Sequence, residues 1–207
     1  MAFIKKSTSP AGGQTLSTSS STPAELIAQL SAADPLTRRW AARDLLPHPE
    51  SASALLSQLQ SEADLSVREV ILTSLTRMGG AVAVAGLVQC LRSEDAHLRN
   101  EAIEAMKALP VEVAPIMGAL LVDEDPDVRI MAVNILESLR HPQVEAWLLA
   151  VIDNDLVVNV CGTAVDLLGE VGSAASQASL LRLKQRFMDE PYIQFATDLA
   201  LKRLGEA

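Results

Sequence analysis

An acidic residue, an arginine four places later and an apolar run behind it recur along this chain at nearly constant spacing. The acids are Asp34, Asp64, Asp95, Asp125, Asp155 and Glu190, separated by 30, 31, 30, 30 and 35 residues. Arg38, Arg68, Arg99 and Arg129 follow the first four acids, while Asn159 and Gln194 take that place after the last two. Seven, eight and eleven places after each acid the residues are mostly Ala, Val, Ile, Leu or Met, which is one face of a helix. Pro35, Pro126 and Pro191 come directly after their acids. An N-cap acid with proline at the first helical position explains that pairing, because the missing N–H has no intrahelical partner there anyway.

Second apolar segments lie between these helices, among them "GAVAVAGLVQCLR", "VEVAPIMGALLV", "HPQVEAWLLAVI" and "SAASQASLLRLKQRF", each introduced by Gly, Pro or Ser. They read as partner helices. A two-helix unit of about 30 residues cannot bury its own apolar face, so neighbouring units must stack around one continuous core. Twelve helices in six hairpins are expected, the first opening with the capping box Thr22, Pro23, Glu25.

Composition agrees. Hydrophobic residues make up 49% of the 207 and aromatics only 3%, so Ala and Leu must fill the interior, which favours helices over sheets. A net charge of −9 argues against a nucleic-acid partner, since polyanion binding needs clustered Lys and Arg. A basic or neutral protein partner fits better. The chain start lacks the apolar core of a secretory signal, and no run reaches 18 uninterrupted apolar residues, so no membrane insertion is expected. Cys90 and Cys161 lie two units apart, too far to bridge, which suggests a reducing, cytoplasmic setting.

The phrase D-P-x-V-R-x-x-A, as in "EDPDVRIMAV" at 124–133 and, loosely, "DAHLRNEAIEAM" at 95–106, resembles HEAT-like repeats of the phycobilin-lyase type. The resemblance covers roughly residues 23–205. It implies an all-α, right-handed α-solenoid of about six HEAT-like hairpins over residues 22–207, behind a disordered tail at 1–21 that is rich in Ser, Thr, Gly and Pro. Such repeats serve many unrelated functions. The family resemblance also implies one specific alternative, a lyase or chaperone-like subunit that handles a bilin, working as one of a pair of HEAT-like chains.

Catalytic signals are missing from the residue pattern. His48, His97 and His141 occur singly, there is no Gly-rich phosphate loop, and Cys161 has no histidine near it in sequence. The expectation is therefore a non-catalytic scaffold or adaptor, with no metal and no cofactor, that binds another protein in a regulatory or signalling assembly. The four arginines, with Asp34, Asp64, Asp95 and Asp125, are expected to form a structural Asp–Arg ladder, each guanidinium serving its own capping acid or the acid of the adjacent unit. Extra acids at the same turns should make one edge negative.

If the second helix of each unit lines the concave side, as in HEAT-like proteins generally, its outward positions are the sixth and ninth after the acid. Those positions hold Trp40, Arg43, Val70, Thr73, Glu101, Glu104, Met131 and Asn134. Trp40 and Met131 are expected as apolar anchors of a partner-binding stripe, with Arg43, Glu101 and Glu104 orienting the partner. Trp147, among Leu148, Leu149, Val151 and Ile152, is expected in the core.

Overall fold

A computed structural model describes residues 21–206. The tail expected at the start of the chain falls almost wholly outside the described residues. Among those described there are twelve α-helices: α1 (Pro23–Gln29), α2 (Pro35–Asp44), α3 (Ala52–Ser61), α4 (Leu65–Met78), α5 (Gly80–Cys90), α6 (Ala96–Lys107), α7 (Pro110–Leu120), α8 (Pro126–Leu136), α9 (Val144–Asn154), α10 (Val158–Val171), α11 (Gln177–Arg186) and α12 (Pro191–Glu206). They form six hairpins stacked as an α-solenoid. The second helices α2, α4, α6, α8, α10 and α12 pack each against the next in an unbroken row. In the first-helix row α3 packs on α5, α5 on α7, and α9 on α11. One buried cluster runs from Leu26 to Leu204, with Leu55, Ile71, Leu87, Met106, Met117, Ile135 and Leu148 fully enclosed. No helix among the described residues is long and apolar enough to cross a membrane.

Helix starts follow the capping chemistry. Thr22 and Glu25 bond each other's backbone amides reciprocally, at 3.3 and 2.7 Å. Asp34, Asp64, Asp95 and Asp125 each accept amides from the first turn of the helix they precede. Asp155 departs from the pattern: it accepts the Val157 amide at 2.9 Å, and α10 starts only at Val158. Gly79 and Gly80, with φ of 62° and 78°, make the short turn from α4 into α5, which a residue with a side chain would adopt only under strain.

The ladder has a direction that differs from pairing within one unit. The arginines reach forward to an acid of the next unit, while their own capping acids bond helix amides. Arg38 holds Glu62 through two bonds of 2.7 and 2.8 Å, Arg68 holds Asp95 at 2.8 Å, and Arg129 holds Asp155 at 2.6 and 3.2 Å. The same guanidiniums turn back to tie their own turns, as in Arg38 to the Ala32 carbonyl and Arg129 to the Asp123 carbonyl. Among the described residues Arg99 makes only such backbone bonds, to Ser93 and Glu94, and reaches no carboxylate. Asp95 is therefore the partner of Arg68, not of Arg99, and the third junction is bridged instead by Arg92 and Asp123.

The last two units solve the same problem with other residues. Gln194 donates to the Lys184 and Phe187 carbonyls, while Arg186 reaches from α11 to the Ile152, Asp153 and Asp155 carbonyls. Their second helices sit close. A Cβ at Gly162 would lie 2.5 Å from the Tyr192 ring, so the absence of a side chain there is what lets that ring lie on α10, where its hydroxyl bonds Asp166.

Candidate functional site

The second-helix face carries the expected stripe only in part. Trp40 is 48% exposed, and the Arg43 guanidinium sits 4.0 Å above its ring while also bonding Asp44. Thr73 and Glu104 are exposed along the groove between α4 and α6, a hollow of about 450 Å³. Glu101, half-buried in the same groove, lies 3.3 Å from His97 and 3.9 Å from Arg68. Val70 is half-buried against the core, and Asn134 lines a smaller groove between α8 and α10. Met131 overturns the expectation: it is 7% exposed and belongs to the core. Position six is about 60° of helix rotation from position nine, which places it on the flank of the helix where neighbouring units cover it. Cys161, at the same position in the next unit, is fully buried.

The first-helix face holds a larger opening. Between α7 and α9 lie two chambers, one of about 450 Å³ toward the C-terminal ends of the helices and one of about 580 Å³ toward their N-terminal ends. Leu121, Val122, Trp147, Ala150, Val151 and Leu156 line the first, alongside Arg129 and Asp155, which neutralise each other. Val111, Ala114, Pro115, Leu139, Arg140 and His141 line the second. His141 stacks on Trp147 with centroids 4.9 Å apart and planes 12° from parallel, so an aromatic pair joins the two chambers. Pro115, inside α7, cannot donate to the Val111 carbonyl, which removes one rung of that helix. A neighbouring groove of about 630 Å³ separates α5 from α7.

Titratable groups at the unit junctions are tuned by their partners. Arg38 beside Glu62 holds that buried carboxyl down at about 2, against an ordinary 4.5. The Asp95 carboxyl is lowered by its bond from Arg68. Burial raises both thiols, Cys90 and Cys161, which lie in the core. Among the described residues no group of three His, Cys, Asp or Glu is placed to hold a metal ion.

The sequence matches the family of HEAT repeats over residues 23–107 and 113–202. The chain belongs to the HEAT repeat family. Over 76 residues this HEAT array is 38% identical to the bilin biosynthesis protein PecE of Nostoc sp. and 40% identical to PecE of Mastigocladus laminosus. Those stretches cover 36% of this chain and only 30% and 28% of the relatives, so the match spans less than a third of either. Among solved structures, the complex of CpcE and CpcF of phycocyanin lyase from Nostoc sp. aligns with 98% of this chain and 100% of that one, at 18% identity and a TM-score of 0.37. A designed armadillo repeat protein aligns at 16% identity and a TM-score of 0.41, covering 88% of this chain and 99% of its own.

Trp147 packs against the core, as its run of apolar neighbours suggested, and its half-buried ring also lines the cleft. His141 is its stacking partner. Their spacing of six residues across a loop carries no helical signature, so only the fold brings them together.

Proposed function

We propose that this HEAT array is a chromophore-handling subunit related to the bilin lyases, which holds a bilin while a protein partner engages the second-helix face. The identity of 38–40% to two bilin biosynthesis proteins carries this reading. The apolar, aromatic-lined chambers beside α7 support it, since small-molecule sites are concave, mostly apolar and of several hundred Å³. Mixing the purified chain with biliverdin should give a saturable change in its visible absorbance at one equivalent per chain. Absence of any saturable change would remove the reading.

A second reading, a non-catalytic adaptor without a chromophore, is favoured by the exposed Trp40 with Arg43 stacked on it. Trp and Arg are the side chains in which interfaces concentrate their energy. On this reading a partner captured by the chain is lost with Trp40→Ala while biliverdin has no effect on the protein.

A further inference from the structure

We infer that the cleft between α7 and α9 is a binding site for a planar conjugated ligand bearing an anionic group, with Arg140 as the anion's anchor. The inference rests on the chromophore-handling reading for its choice of biliverdin, but its geometry stands apart from that reading. Val111, Val122 and Leu156 are 80%, 78% and 77% exposed, the three most exposed large apolar side chains among the described residues, and all three border this one cleft. Scattered exposed apolar residues are normal; their concentration around a single hollow marks a surface that is covered in use.

Shape and charge narrow the occupant. The stacked His141 and Trp147 rings join the two chambers, and an aromatic pair in that position favours a flat π-system lying offset against it. Charge is uneven along the cleft. At one end Arg129 is spent on Asp155, and Asp123 on Arg92. At the other end Arg140 is exposed and makes no ion pair among the described residues, and it is the only fully charged group lining its chamber. An unpaired guanidinium in a protein of net charge −9 offers a carboxylate or sulfonate two parallel bonds. A cationic or purely apolar ligand would leave it unused.

The chain has two tryptophans, so Trp40→Phe leaves Trp147 as the sole indole reporter. Titrating that variant with 1-anilinonaphthalene-8-sulfonate and, separately, with biliverdin should quench Trp147 saturably. Arg140→Glu in the same background should weaken both probes roughly tenfold or more, and Arg140→Lys should restore much of the binding. Leu156→Glu, at the opposite rim, is a second exposed change that should weaken both, with circular dichroism confirming that each variant stays helical. If the sulfonate binds and responds to these changes but biliverdin does not bind, the cleft assignment stands and the chromophore-handling reading falls. If biliverdin binds yet neither variant alters it, the chromophore sits elsewhere and the cleft assignment is overturned. No Trp147 quenching with either probe overturns it as well.

Discussion

A buried carboxylate at position 62 is stable only because Arg38, Gln58 and the Asp64 amide all donate to it. Removing Arg38 leaves that charge enclosed with two neutral donors, a change that costs about 3 kcal/mol in comparable buried pairs. Arg38→Ala should accordingly lower the urea midpoint by much more than Arg99→Ala, whose guanidinium meets only carbonyls. Acid titration provides the companion measurement. The Glu62 carboxyl is depressed from 4.5 to about 2 by its bond from Arg38, so its contribution is fully present above about pH 4.5 and is lost as pH falls toward 2. Glu62→Gln should flatten that part of the stability profile. The presence of a structural acid–arginine ladder was legible in the repeat, but its direction was not. The spacing leaves both the unit's own acid and that of the next unit open to each guanidinium, and the stacking of the units brings Glu62, Asp95 and Asp155 to Arg38, Arg68 and Arg129.

Helices α1, α2, α4, α6 and α8 begin directly after the capping residues read from the sequence, and α12 begins at Pro191, because those signals act within a turn of the chain. α10 begins later than the repeat suggests: the Asp155 carboxylate takes the Val157 amide, and Val157 stands at the N-cap position. Which side of a helix a neighbour covers is set by packing between units and is invisible to periodicity alone, hence the exposed Trp40 and the buried Met131 at equivalent positions. The α10–α12 contact offers a clean test of such packing. Gly162→Ala places a carbon where the Tyr192 ring now lies, so the ring must move away from α10 and loosen its bond to Asp166. We expect a loss of about 1–3 kcal/mol. The chain has one tyrosine, and its phenol is pushed up to about 12, chiefly by the Asp166 bond. In the variant, phenolate absorbance should therefore appear at lower pH, closer to the ordinary value of 10, which a general loss of stability below the unfolding transition would not produce.

At the scale of the whole array, the main helix contacts among the described residues run within a hairpin or to the next one, so each junction sets its own local geometry. The junction between the fourth and fifth hairpins is asymmetric: α8 packs on α10 along the second-helix row, whereas two open chambers separate α7 from α9. Filling the chambers is expected to change the angle between the two arms, with the α8–α10 contact as the pivot. Small-angle scattering with and without saturating biliverdin should show a change in maximum dimension, and Arg140→Glu should remove it. A molecule seated in the chambers is thus expected to act on the second-helix side of the same joint, where Asn134 and Thr163 line the groove between α8 and α10. Thermodynamic reciprocity then requires that any partner gripping that opposite face at one preferred curvature must change the ligand's affinity by the same factor by which the ligand changes the partner's.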